Sequence, residues 1–264
     1  MFDDILREST KTKYEYENKI SSCDIAKDKL KEFKPLSKEL LSQLKEYYRI
    51  GLTYSSNAIE GNTLTESETK VILEDGITIG GKPIKDHLET IGHSEAFNYL
   101  YEISGAKKIT ENNINRLHHL FYHLIDESNA GIYRNKSVYI TGSTFVPPKP
   151  ENIQNEMMMF CKTIPRLKDT LHPIEYAATL HLELARIHPY IDGNGRTSRL
   201  LMNLALVQEG FTITCIPPVL RSKYIETLNL AKTGNKDPQH FINFISTMVY
   251  ESQKDLIRLY NSVT

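Results

Sequence analysis

Apolar residues recur at three- and four-residue spacing along most of the chain, which predicts a mainly α-helical fold. Residues 1–34 are charged and lightly apolar, the pattern of a helix laid on a surface. Beyond Pro35, the positions Leu36, Leu40, Leu41, Leu44, Tyr47, Tyr48 and Ile50 mark an amphipathic helix that runs on to Glu60, where Gly61 supplies a stop. Thr65 and Glu68 have capping-box spacing and open a helix through Leu73. A turn from Gly76 to Pro83 leads to a helix over 85–104, and Thr110 starts another that fades near Asp126. Further helices are predicted over 153–167, 174–188, 196–209, 222–232 and 238–260. One stretch breaks the helical period: Val138 to Thr141, then Gly142-Ser143, then Thr144 to Val146 before two prolines. It predicts a short β-hairpin with a polar turn.

Composition narrows the function classes. The 264 residues carry 32 Lys+Arg against 33 Asp+Glu, a net charge of −1, which argues against nucleic-acid or anionic-membrane partners. With 40% hydrophobic and 25% charged residues the chain is an ordinary globular mix. The three cysteines, Cys23, Cys161 and Cys215, lie far apart and form no CxxC pair, so neither a disulfide framework nor a cysteine zinc site is expected. No apolar run is long enough to span a membrane, and the charged start lacks a secretory signal. The expected setting is the cytoplasm.

The chemistry concentrates in His188-Pro-Tyr190-Ile-Asp192-Gly193-Asn194-Gly195-Arg196-Thr197-Ser198-Arg199. Ile174, Ala177, His181, Leu184 and His188 share one helix face, and Pro189 ends that helix, so His188 is firmly placed as a general base. The Gly-Asn-Gly turn that follows can converge backbone N–H groups into an anion nest. The next helix adds its own unpaired N–H groups and the positive end of its dipole. Arg196 and Arg199 add two positive charges, which makes a polyphosphate site, and Asp192 beside it could hold a divalent metal.

These twelve positions resemble the Fic motif, H-x-F-x-[D/E]-G-N-G-R-x-x-R, with Tyr190 in place of the usual Phe. The resemblance implies the helical Fic/Fido fold with a hairpin flap, and transfer of AMP from ATP to a Ser, Thr or Tyr hydroxyl of a target protein. His188 is then the base and Asp192 the ligand of Mg²⁺, with Mn²⁺ as an alternative. Gly193, Asn194, Gly195, Arg196, Thr197, Ser198 and Arg199 are the phosphate site. Ser56-Asn57-Ala58-Ile59-Glu60-Gly61 resembles the family's inhibitory motif, [S/T]-x-x-x-E-[G/N], in which the glutamate pairs with the second arginine, here Arg199. The implied division is an N-terminal helical region, 1–95, carrying that motif at 56–61, and a Fic catalytic domain, 96–260.

The segment 138–148 resembles the family's flap, which docks a target peptide by β-augmentation. Gly142, Ser143, Thr144 and Phe145 match the positions that approach the nucleotide, with Phe145 where a histidine is frequent. Residues 221–225 and 231–234 look like the adenine wall, with Tyr224 stacking on the base and Ile225 closing its edge. The family usually shows Asn at Lys232 and Asp at Asn235. The resemblance also accommodates a homodimer that holds the inhibitory helix. It gives no reason to expect a C-terminal winged helix, since Thr264 follows closely on the last core helix.

Other motifs fail on chemistry. Gly76 to Lys82 spells a P-loop, but Pro83 replaces the Ser/Thr that would bind Mg²⁺. His119 and His123 lack a third zinc ligand, and His181 reads as a satisfied core histidine. A Doc-like kinase lacks the paired arginines. Alternatives on the same frame are a de-AMPylating phosphodiesterase using Glu60 and a catalytically quiet nucleotide-binding module. The latter is at odds with the presence of both His188 and Asp192.

Overall fold

A computed structural model of the chain describes residues 16–140, 145–232 and 237–263. Among these the architecture is all helical: α1 (Ile20–Glu32), α2 (Lys38–Ile59), α3 (Glu66–Asp75), α4 (Ile84–Ile103), α5 (Glu111–Tyr122), α6 (Ile153–Thr170), α7 (Pro173–Ile187), α8 (Asn194–Gln208), α9 (Arg221–Lys232) and α10 (Gln239–Val263). The boundaries follow local chemistry. Ser37 accepts from the Leu40 N–H to start α2. Thr65 with Glu68, and Thr110 with Asn113, close capping boxes at α3 and α5.

Helix α8 forms the centre. Leu200, Leu201, Met202, Leu204, Ala205 and Leu206 are all fully buried, the signature of a helix enclosed on every side. It forms an antiparallel hairpin with α7, whose Ile174, Ala177, Leu180, His181 and Leu184 are buried too. Helices α5 and α4 pack beside it, and α10 closes the far side against α1 and α7. The N-terminal end of α8 and the C-terminal end of α7 therefore meet at one place, joined by residues 188–193.

The expected hairpin is not seen among the described residues. Gly142, Ser143 and Thr144 lie outside them, and the flanks 138–140 and 145–149 carry no strand. Pro147 and Pro148 have no N–H to give to a ladder. The carbonyls of Lys136 and Pro148 are taken instead by the guanidinium of Arg134, at 2.8 and 2.7 Å.

Candidate functional site

His188 terminates α7 in the left-handed conformation, φ 52° and ψ 57°. It is the one non-glycine residue with positive φ among the described residues. Such a conformation costs an L-residue about 1–2 kcal/mol. Two bonds from Arg134 hold it: Nε donates to the His188 carbonyl and the backbone N–H to the Pro189 carbonyl, each at 2.8 Å. Burial, then the charges of Lys232 and Arg134, lower the His188 pKa to about 4, against a hydrogen bond to the Ala185 carbonyl that raises it. The imidazole is neutral at physiological pH and has a lone pair to accept a proton.

The turn after it is closed by Asn194. Its side chain accepts from the Tyr190 N–H at 2.9 Å and donates to the Tyr190 carbonyl at 2.8 Å. Gly193 sits at φ 77°, and a Cβ there would collide with the Phe121 ring. The backbone N–H groups of the first turn of α8, residues 194–196, have no intrahelical partner and form the positive end of the helix. Thr197 and Ser198 do not face this cleft. Both are fully buried, with hydroxyls on the carbonyls of Gly193 and Asn194, and they brace the first turn from behind.

Arg199 does face it, with every arm engaged. Nε donates to Ser56 Oγ at 2.9 Å and Nη1 to the Tyr224 hydroxyl at 3.1 Å. Nη2 donates to the Ser56 carbonyl at 2.9 Å and to Glu60 Oε1 at 2.8 Å. Ser56 and Glu60 thus meet Arg199 from one face of α2, as their spacing requires. Burial pushes the Glu60 carboxyl upward, but Arg199 and then Arg196 outweigh it and hold it below the ordinary value, so Glu60 is ionised. Its carboxylate lies directly against Gly195, where a Cβ would overlap Oε1. An anionic group therefore already stands at the nest.

Arg196 plays a different part from the one its sequence position suggests. Its side chain is 4% exposed, with Nη1 2.8 Å from Glu89 Oε1 and Nη2 3.3 Å from Asp192 Oδ1, and its guanidinium lies over the Phe121 ring at 4.4 Å. It orients Asp192 rather than reaching into the cleft. Asp192 Oδ1 also accepts the Gly193 N–H at 2.6 Å, and Oδ2 is 3.9 Å from Lys85 Nζ. The described residues include no group of three or more His, Cys, Asp or Glu that could hold a metal. The partly exposed Asp192 carboxylate suits Mg²⁺, which takes one or two carboxylates and fills its remaining positions with water and phosphate oxygens.

The residues expected to form an adenine wall are packed against the core and against Arg199. Tyr224 is 1% exposed; its hydroxyl bonds Arg199 and His181 Nε2, the latter at 2.9 Å, so it offers no free ring face to a base in this structure. Its chemistry is to hold Arg199. Ile225 is partly buried against the core. Lys232 Nζ donates to the Ala185 carbonyl at 3.1 Å and lies 5.9 Å from the centre of the Phe145 ring, while Gly234 and Asn235 lie outside the described residues. His119 and His123 stack on each other, with ring centres 5.6 Å apart.

Two positions not anticipated from the sequence support the turn. His118 Nδ1 accepts the Gly131 N–H at 2.8 Å, so its Nε2–H donates to the Asp192 carbonyl at 3.0 Å. Its ring stacks on Tyr190 at 3.7 Å, and Tyr190 sends its hydroxyl to Asn115 Oδ1 at 2.7 Å. Burial lowers the His118 pKa to about 4. The second is Glu89, the partner of Arg196, whose backbone carbonyl accepts from Asn57 Nδ2 at 3.3 Å. Thr53 meets His93 Nδ1 at 3.1 Å, so Thr53, Ser56, Asn57 and Glu60 give α2 a polar face toward α4 and α8.

Residues 108–206 match the family model described as Fic/DOC family. The chain is 38% identical over 232 residues to Protein adenylyltransferase Fic of Drosophila persimilis, covering 87% of this chain and 45% of the relative. It is 38% identical over 235 residues to the protein of the same description in Nematostella vectensis, covering 86% and 53%. The chain thus spans about half the length of the curated relatives it matches. In three dimensions it is similar to Fic-1 of C. elegans, with a TM-score of 0.83 at 29% identity over 93% of this chain and 72% of that one. It is also similar to a Fic-domain-containing signaling protein of Bacteroides thetaiotaomicron, with a TM-score of 0.81 at 27% identity over 94% and 99%. The motif at 188–199, the helical frame that presents it and these similarities together identify residues 108–206 as a domain of the Fic/DOC family.

Proposed function

We propose that the chain is a protein adenylyltransferase that transfers AMP from ATP to a hydroxyl of a target protein, and of itself, and that Glu60 holds it inactive. The observation that carries this reading is the juxtaposition of a neutral histidine, His188, with the N-terminal nest of α8 and the Arg199 guanidinium. The names of the curated relatives support it. His188 takes the proton of the target hydroxyl as its oxygen bonds the α-phosphorus; the bond from that phosphorus to the bridging oxygen breaks, and pyrophosphate leaves. The nest receives phosphate oxygens, and Arg199 neutralises the terminal phosphate. A Mg²⁺ ion held by Asp192 supplies further charge neutralisation when bound.

Glu60 competes for that arrangement. Its carboxylate occupies Arg199 and lies against Gly195, so the terminal phosphate and Glu60 claim the same donors. The target segment docks on 138–148, where Tyr139 and Val146 are strongly exposed, at 88% and 69%.

Intact-mass spectrometry after incubation with Mg²⁺-ATP tests the proposal. Glu60→Gly gains the mass of one AMP, wild type gains little, and Glu60→Gly with His188→Ala gains none. Absence of any adduct on the Glu60→Gly protein, with or without an added protein acceptor, overturns it. Removal of AMP is a second reading, favoured by one detail. Only Glu60 Oε1 is engaged by Arg199, and ionised Oε2 is left to orient a water. Loss of AMP from a modified acceptor catalysed by wild type but not by Glu60→Gly would establish it.

A further inference from the structure

Arg134 stands outside the 188–199 motif, yet it makes two hydrogen bonds to the chain at His188 and Pro189. It is 4% exposed. Its three guanidinium nitrogens donate to three main-chain carbonyls from separate places: His188 through Nε at 2.8 Å, Lys136 through Nη1 at 2.8 Å and Pro148 through Nη2 at 2.7 Å. Its own N–H holds Pro189. No carboxylate lies within ion-pairing distance of it among the described residues, so a full charge is buried on carbonyl dipoles alone, where burial lowers the guanidinium pKa. Only a planar fork with donors on three nitrogens can reach these acceptors together.

We propose that Arg134 is a positioning residue that ties Lys136, just ahead of the peptide-docking segment, and Pro148, at its far end, to the left-handed His188 turn and so sets His188 against the target hydroxyl. This rests on the adenylyltransferase reading given above. Its charge also disfavours protonation of His188, which keeps the base ready. Arg134 bonds neither the nest nor Arg199, so its loss separates turnover from nucleotide binding.

The test uses the Glu60→Gly protein as parent, with Arg134→Ala and Arg134→Lys added. Self-modification at saturating Mg²⁺-ATP falls on the order of 100-fold in Arg134→Ala, the scale expected for a misplaced catalytic group. It falls roughly tenfold in Arg134→Lys, which keeps the charge without the fork. The affinity for ATP by calorimetry stays within about twofold of the parent in both, and methylguanidine restores part of the Arg134→Ala rate, as expected when one missing fork is resupplied. In NMR titrations, which need no activity, the His188 ring of Arg134→Ala titrates at higher pH than that of the parent. An Arg134→Lys protein that transfers AMP at the parent rate overturns the proposal. So does a loss of ATP affinity as large as the loss of rate, or an unmoved His188 titration. Should the parent itself transfer nothing, the adenylyltransferase reading fails, and the titration alone decides whether Arg134 governs His188.

Discussion

The Glu60 carboxylate accepts a 2.8 Å hydrogen bond from Arg199 and at the same time lies against the Cα of Gly195, so one side chain covers both the cation and the backbone donors of the proposed phosphate site. Arg199 does not depend on Glu60 for its place, because Ser56 and Tyr224 hold its other arms.

Removing Glu60 should therefore uncover the site without disordering it. A hydrogen bond to a charged group contributes about 1.5–3 kcal/mol, and a side chain one-third exposed belongs at the lower end. Glu60→Gly is expected to raise the rate of AMP incorporation roughly tenfold or more, the change that 1.4 kcal/mol produces. Time-resolved intact-mass measurements at fixed ATP check it.

Gly195→Ala gives the opposite result through the same atoms. The new methyl displaces the Glu60 carboxylate but fills the space that the proposed function gives to a phosphate oxygen. Relief of inhibition without a gain in rate, and ATP binding weakened at least tenfold in calorimetry, is the expected pattern. A rate equal to that of Glu60→Gly would contradict it.

The buried histidines set the pH response. Burial lowers His118 and His188 to about 4, and burial with the charges of Arg199 and Arg196 lowers His93 to about 3. As pH falls below about 6.5, the unfolded chain binds protons that the folded chain refuses, so stability present at neutral pH is lost progressively toward pH 4. Each histidine contributes up to about 1.4 kcal/mol per pH unit. Urea unfolding at pH 7 and pH 5 reads this. The turnover of the protein that stays folded should be flat between those values, since His188 remains neutral.

His118→Leu tests the support of the turn. It leaves the Gly131 N–H and the Asp192 carbonyl without their partner. Orphaning buried groups costs about 1–3 kcal/mol each, so a loss of about 2–4 kcal/mol in urea unfolding is expected, with weaker Mg²⁺-dependence of ATP binding.

Legibility in the sequence follows contiguity. The twelve residues from His188 to Arg199 could be read as one candidate site because histidine, carboxylate, Gly-Asn-Gly turn and arginines are consecutive, and the Thr65 and Thr110 helix starts because a cap acts over three residues. Arg134, His118 and Glu89 could not. They are 54, 74 and 107 residues from their partners, and nothing in their neighbourhood marks them as polar supports rather than ordinary surface. Tyr224 has a second role that was hidden for a related reason. Its position suggested a ring for a base, and only the fold shows its hydroxyl completing Arg199. At 138–146 the alternating pattern is genuine, but it does not produce a ladder in the described flanks, whose prolines cannot donate.

The last two turns of α2 carry a further consequence. Of their buried residues Thr53, Ser55, Ser56, Asn57 and Ile59, only Ile59 is apolar. Contacts made by hydroxyl, amide and carboxylate groups can be handed over to water one by one. A helix docked in this way could lift from Arg199 without laying bare a greasy surface, so the uncovered protein would remain well behaved in solution, ready to be closed again, rather than drifting toward aggregation.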